Sequence, residues 1–273
     1  MKIRSAVHTV LLTAVLGAAA PVRPSLSLET AAASVIERLK APEAVQGVAV
    51  DKHHFHAIDS RAIGKYERTT GRLVKRWQED KGGPILHLDS GVVVRGRLYC
   101  AHSNYPKLPM TSSVEILDAE SLEHVGSHSF GVRWGSCTWI DRHNGAWWAA
   151  FAPYDQFKEA TGKDASWSTL VEFDSNWRAR QSWVYPEALV ERFRPMSNSG
   201  GSWGPDGLLY LTGHDAAEVY AVRLPRRGSA LEHVRTVPLA IEGQGIAWDR
   251  RRQGVLVGIR RSAREVVAFE VAP

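Results

Sequence analysis

The chain has 273 residues, of which 44% are hydrophobic, 9% aromatic and 23% charged, with a formal net charge of +5. That length exceeds one ordinary domain, although closed all-β repeat folds often reach it as a single unit. The small positive excess lacks the clustered basic stripe of a nucleic-acid binder, so no nucleic-acid partner is expected.

Residues 1–20 begin with Lys2 and Arg4, continue through an apolar stretch around Val10-Leu11-Leu12 and end in Gly17-Ala18-Ala19-Ala20. This is the order of a secretory signal peptide, and its apolar part is too short to span a bilayer as a helix. Cleavage after Ala19 or Ala20 removes Lys2 and Arg4 and lowers the net charge to +3. No other stretch is apolar enough to cross a membrane, and the first cysteine, Cys100, lies far from the signal. The expectation is a soluble, monomeric periplasmic or extracellular protein. Residues 21–33, rich in Pro, Ser and Ala, read as a mobile lead-in, followed by one domain over 34–273.

Within that domain one phrase recurs. Gln46-Gly47-Val48-Ala49-Val50-Asp51 is echoed by Gln244-Gly245-Ile246-Ala247-Trp248-Asp249, with looser copies at Ser90–Val94, Gly135–Asp141 and Gly200–Asp206. Aligned on Val48, Val92, Thr138, Ser202 and Ile246, the copies are 44, 46, 64 and 44 residues apart. A strand-rich unit of that length is the signature of propeller blades. Short alternating runs bounded by turn residues give the strands. They fall at about 45–51, 53–59, 61–67 and 72–78, then 90–95, 97–102, 112–118 and 122–129, then 136–141, 146–152, 168–174 and 177–184. Gly204-Pro205-Asp206-Gly207 makes the first hairpin of a fourth blade, continued by Leu208–Thr212, Glu218–Val222 and Leu231–Arg235. The fifth blade, from Gln244–Asp249, Gly254–Ile259 and Glu265–Val271, is one strand short. The spare strand at about 35–40 fills the gap, because a closed β-architecture leaves no unpaired edge. The fold expected is therefore an all-β, five-bladed β-propeller of four-stranded blades, its ring closed by an N-terminal strand.

Two cysteines in an exported chain can bridge, but the spacing of Cys100 and Cys137 does not decide between a disulfide and two small buried side chains. Arg250-Arg251-Arg252 reads as a solvated turn. The histidines at 53, 54 and 56 and the pair Trp147-Trp148 read as strand packing, since alternation sends neighbours to opposite faces.

The long connections, His102 to Ser112 and Tyr154 to Trp167, fall on one face of the ring, together with the inter-blade segment Pro186–Arg194. Functional residues concentrate on long loops held by a rigid scaffold. Superposed blades bring Asp59, His102, His214 and Arg260 to that mouth from the second strands, and Gln46, Asp89, Ser90, Ser136, Asn198, Ser199, Glu242 and Gln244 from the starts of the innermost strands. His214, followed by Asp215, is a candidate acid–base group, because imidazole titrates near neutral pH. A histidine that caps the following turn has the same local sequence. His102, with Asn104 and Tyr105, is a second candidate, with a loop anchor as its alternative. Arg260 could hold a substrate carboxylate or stabilise an enolate, whereas a salt bridge to Glu242 or Asp215 would account for it equally. Arg194 is placed at the rim. A divalent cation on Asp59, Asn104, Asp155, Asp215 and Glu242, or a transition ion on the histidines, has donors but no compact ligand spacing.

Ser199-Gly200-Gly201-Ser202-Trp203-Gly204-Pro205-Asp206-Gly207-Leu208-Leu209-Tyr210-Leu211-Thr212 resembles the gluconolactonase and regucalcin-like propeller group. His102-Ser103-Asn104-Tyr105-Pro106 and Glu242–Asp249 resemble exported bacterial propellers with loose cycloisomerase-like labels. The lactonase group has six blades and a metal held by Glu, Asn and Asp; here five blades are counted, and Gln46 stands at the opening strand. The resemblance implies an enzyme acting on a small, oxygen-rich, carboxylated or sugar-derived substrate by lactone opening or closing, cycloisomerisation or elimination. The alternatives are a non-catalytic propeller that binds a glycan or other small polar molecule at the channel mouth, and a protein-interaction scaffold.

Overall fold

The computed structural model describes residues 33–272; the expected signal peptide and almost all of the lead-in lie outside them. Twenty strands form five four-stranded antiparallel sheets, the blades of a five-bladed propeller. Blade 1 comprises β2 (Gly47–Val50), β3 (His54–Asp59), β4 (Ala62–Glu67) and β5 (Leu73–Gln78). Blade 2 comprises β6 (His87–Val94), β7 (Arg97–Ser103), β8 (Ser112–Asp118) and β9 (His124–Gly131). Blade 3 is built from β10 (Ser136–His143), β11 (Ala146–Ala152), β12 (Thr169–Phe173) and β13 (Ala179–Val184). Blade 4 follows as β14 (Gly200–Trp203), β15 (Leu209–Thr212), β16 (Glu218–Arg223) and β17 (Glu232–Pro238). Blade 5 contains β18 (Ala247–Trp248), β19 (Val255–Arg260) and β20 (Glu265–Val271), and β1 (Ala33–Lys40) completes it. β1 lies outermost, antiparallel to β20 from Ala33↔Val271 to Lys40↔Glu265, with one bulge at Val35–Glu37. The ring is closed by its N-terminal strand, as the missing strand of the last blade required.

The core divides into five apolar clusters, one between each pair of neighbouring blades. Strand alternation is the cause: Trp147 packs toward blade 2 and Trp148 toward blade 4. Each large side chain buried in this way contributes about 1.5–3 kcal/mol. Cys100 and Cys137 are free buried thiols on opposite sides of blade 2, so their side chains point into different clusters and do not bridge.

Two local departures from the expected strands matter for the site. The inner strand of blade 2 begins at His87, three residues earlier than its composition indicates, because Asp89-Ser90 forms a bulge and the chain resumes pairing at His87↔Ser103. The inner strands also converge at their starts. A Cβ on Gly245 would lie 2.8 Å from the Gly47 Cα and the Ser90 Cβ. The missing side chains of Gly47 and Gly245 let these two strands and Ser90 meet at the long-loop end.

Candidate functional site at the long-loop mouth

The roomy part of the channel opens on the other face. A cavity of about 640 Å³ is lined by all five inner strands, through Val50, Val92, Ile140, Ser202 and Ile246, and its rim carries the short hairpins. Every carboxylate on that rim is bonded. Asp51 accepts from the backbone N–H groups of His53 and His54, and Asp118 from those of Glu120 and Ser121. Glu120 takes the buried Lys65 at 2.6 Å. Asp141 is bonded to Ser202, Trp203 N–H and Arg250, and Asp249 to Arg68, Arg252 and Arg251 N–H. Arg250–Arg252 forms a solvated turn, as expected, and two of its half-exposed arginines also pair with buried aspartates, Arg250 with Asp141 of blade 3 and Arg252 with Asp249 of blade 5.

The long-loop mouth is built differently. Gln46 Nε2 donates to Ser60 Oγ at 3.1 Å, Ser60 Oγ bonds His87 Nδ1 at 3.1 Å, and His87 Nε2 lies 3.7 Å from Asp89 Oδ2. Asp89 is buried, and its Oδ2 has no hydrogen-bond partner; neither does the neighbouring Ser90 Oγ. Burial raises the Asp89 carboxyl well above the usual carboxylate range. It pushes the His87 imidazole down to about 4, helped by the nearby His102 and His214. Near neutral pH the ring is uncharged, and it stands beside a carboxyl whose proton affinity burial has raised. The ring of Tyr105 lies 5.1 Å from that of His87 and 5.1 Å from that of Tyr154. Tyr154 donates to Ser136 Oγ, which donates to Ser103 Oγ at 2.9 Å.

A second cluster stands across the mouth. His214 Nδ1 bonds Asp215 Oδ2 at 2.8 Å, while Arg261 reaches Asp215 Oδ1 at 2.5 Å and His214 Nε2 at 3.3 Å. The guanidinium can only donate, so the His214 Nε2 lone pair faces it and the ring proton sits on Nδ1. Arg261 Nε is buried without a partner. The arginine that faces the mouth is therefore Arg261. Arg260 stays in register with Glu265 across the β19–β20 hairpin and pairs with it at 3.3 Å.

Several expected site residues are structural. His102 accepts the Leu86 N–H on Nε2, and its Nδ1 donates to Ser113 Oγ at 2.8 Å, which continues to Glu115 at 2.6 Å. Both ring nitrogens are bonded within the protein, the arrangement of a loop anchor. Asn198 is fully engaged by Trp139, Tyr185 and the Gly200 and Thr212 carbonyls. Asn104 closes its own loop onto Pro109 and Thr111. Glu242 accepts from Ser262 N–H and Oγ, and Asp59 from Ser60 N–H, each holding a turn. Gln244 is buried at φ 66°, its carbonyl taking the Thr212 hydroxyl at 2.6 Å. Arg194 pins the blade 3 loop through Asp155 at 2.5 Å. The donors once grouped as a cation site are spread over these separate contacts, and no cluster of three or more His, Cys, Asp or Glu side chains poised for a metal occurs among the described residues.

His87 went unrecognised because Leu86-His87-Leu88 reads as linker. The usable signal was the spacing of His87 and Asp89, which puts both on one face of an extended strand.

The sequence matches no protein-family model and no curated protein. Some solved structures are similar to it. The PQQ-bound aldose sugar dehydrogenase of Streptomyces coelicolor is 10% identical, with a TM-score of 0.55 over 89% of this chain and 98% of that one. Hydrazine synthase of Kuenenia stuttgartiensis is also 10% identical, with a TM-score of 0.48 over 82% of this chain and 70% of that one. At such identities the likeness speaks for the fold alone. No helix among the described residues is long and apolar enough to cross a membrane.

Proposed function

We propose that the protein is an exported enzyme that transfers a proton on a small, oxygen-rich, carboxylated or sugar-derived substrate at the long-loop mouth. The observation that carries this reading is the buried Asp89 carboxyl, its Oδ2 unpartnered and 3.7 Å from His87 Nε2. A buried polar group without a partner costs roughly 1–3 kcal/mol, which a purely structural position has no reason to retain. Perturbed groups of this kind concentrate at reactive sites.

In this reading His87 is the base. Its ring is neutral at pH 7 and is oriented by Ser60 and Gln46. It takes a proton from the carbon beside the substrate's carboxylate or lactone carbonyl, and Asp89 supplies the counter-proton that returns to the ring or leaving oxygen. Arg261, already held against His214 and Asp215, receives the substrate's negative charge. Elimination uses this pair of transfers, the α-carbon losing its proton to His87 as the β-oxygen leaves with the proton of Asp89. In cycloisomerisation a carboxylate oxygen adds to a C=C bond and one proton is delivered to the enolate carbon. Lactone opening would use His87 to take a proton from the attacking water and Asp89 to protonate the departing ring oxygen, closure being the reverse with loss of water. Export rests on the charged, apolar and small-residue order of residues 1–20.

The test is solvent-deuterium exchange, followed by NMR, on a panel of sugar lactones and uronates. Wild-type protein is expected to exchange or convert at least one member, and His87→Ala to slow it about a hundredfold or more. Conversion unaffected by His87→Ala would overturn the assignment. A ligand that binds at the mouth but never exchanges would make the protein a binding propeller.

A further inference from the structure

The long loop of blade 3 does more than lengthen the chain. Its short helical turns, Asp155–Phe157, Lys158–Thr161 and Ala165–Trp167, stand over the junction of blades 2 and 3. Together with Leu108–Met110 and Val132–Gly135 they enclose a cleft of about 560 Å³, within the range of small-ligand sites. The loop is held in place, since Asp155 is bonded to both Arg194 and the Ala165 N–H.

Two properties of this cleft point to a ligand. Leu108, Val132 and Trp167, three of the nine large apolar residues exposed on the described surface, all lie along it, Trp167 being 59% exposed. They join the half-buried Trp134 and Phe157, with the buried Tyr154 behind them, so the walls carry aromatic surface. The charge is also one-sided: Arg133 and Lys163 line the cleft and no Asp or Glu does. Each cation rests over an indole, Arg133 at 4.7 Å from the Trp134 ring and Lys163 at 5.6 Å from the Trp167 ring. An apolar partner would gain nothing from the two cations, and a small inorganic anion would gain nothing from four aromatic rings. A chain of acidic sugar rings uses both, its C–H faces stacking on the aromatics and its carboxylates meeting Arg133 and Lys163.

From the mouth the cleft lies one aromatic ring away. Tyr154 and Phe157 line it, and both pack edge-on against Tyr105, whose ring lies beside His87. We infer that this cleft is a subsite for an acidic oligosaccharide, which it holds so that one end reaches the His87–Asp89 pair. The substrate class inferred, a uronate-containing oligosaccharide, rests on the proton-transfer reading of that pair; the binding itself does not.

The experiment titrates the full-length mature protein with oligogalacturonate, with a neutral oligosaccharide of equal length and with an oligoglutamate, following tryptophan fluorescence and calorimetric heat. Oligogalacturonate is expected to bind, with affinity falling as salt rises, at least about tenfold in the double variant Arg133→Gln/Lys163→Gln and in Trp167→Ala. Trp167 and both cations are exposed, so these variants keep the fold, which their melting temperatures verify. Equal binding of the neutral sugar, equal binding of oligoglutamate, or no binding of oligogalacturonate would each overturn the inference. If binding persists with no turnover in the wild type, the subsite stands and the proton-transfer reading fails; turnover of small lactones without any binding of the oligosaccharide has the opposite meaning.

Discussion

At the short-hairpin mouth Asp51, Asp118, Glu120, Asp141 and Asp249 all have bonded partners, whereas at the long-loop mouth the buried Asp89 has a free oxygen. The same five blades supply both ends. The hairpin aspartates recur with the repeated phrase and spend their lone pairs on their own turns and on arginines of other blades. Asp249 ties blade 5 to Arg68 of blade 1 and also holds Arg252, which reaches Glu37 of the closing strand. Asp89 stands outside that pattern, in a bulge where no turn or cation reaches it. One mouth uses its charges to hold the ring together. The other holds a carboxyl beside an imidazole and leaves one oxygen of the carboxyl unpartnered.

The largest test of this contrast removes what both mouths depend on. Deleting residues 34–40 strips β1 from β20 and breaks the Lys40–Glu265 and Arg252–Glu37 contacts at once. The truncated chain is expected to lose cooperative thermal unfolding; an unchanged melting curve would mean that the ring does not depend on its closure.

Asp249→Ala tests the short-hairpin mouth alone. It removes the carboxylate facing Arg68, whose side chain is 13% exposed and keeps only its bond to the Asp51 carbonyl, and should cost about 3–5 kcal/mol in urea denaturation. Ligand binding at the opposite mouth should survive in the variant. Loss of both would erase the distinction between the two ends.

The long-loop mouth should instead show itself in pH dependence. His87 has a proton affinity below its ordinary value, at about 4 instead of 6.5. Between those values the unfolded chain binds a proton that the folded chain refuses, so stability present above pH 6.5 is lost as the pH falls through the window, by up to about 3 kcal/mol. His87→Asn should flatten that loss between pH 7 and 4. The raised Asp89 carboxyl acts in the opposite sense, adding stability as the pH falls through its folded-state value. Asp89→Asn should therefore steepen the acid loss while holding or raising the melting temperature at pH 7, where wild type carries a buried, unpartnered carboxyl. A strong destabilisation at pH 7 would place Asp89 among the structural aspartates.

The smallest effect belongs to Arg250→Gln. Asp141 keeps Ser202 and the Trp203 N–H when the half-exposed guanidinium goes, so the change should cost under about 1 kcal/mol by thermal melting. A larger cost would mean that the strap from blade 5 to blade 3 carries the ring.

Much of the architecture was legible because it is repeated. The phrase at Gln46 and Gln244, the Asp206-Gly207 turn and the missing strand of the last blade are local patterns, and each copy corroborates the others. The mouth itself was legible as a region, since loop length alone identifies it. Its chemistry was not. His102 and His214 carry the same residue type at equivalent strand ends, yet one is locked to Leu86 and Ser113 while the other meets Asp215 and Arg261. The adjacent side chains of His214 and Asp215 bond each other, and Arg261 from the next blade contacts both.

The sequence by itself therefore determined the number of blades, the strand order within them, the closing strand and the face bearing the long loops, because alternation, turn residues and repeat spacing act over short stretches. The tertiary structure alone decided that Ser60 and His87 meet across two blades, that a bulge turns Asp89 toward them, that Arg261 and not Arg260 enters the mouth, and that the open channel lies on the opposite face. Those outcomes depend on which blades touch and on how closely the backbones at Gly47, Ser90 and Gly245 approach, and no single stretch of chain encodes that distance.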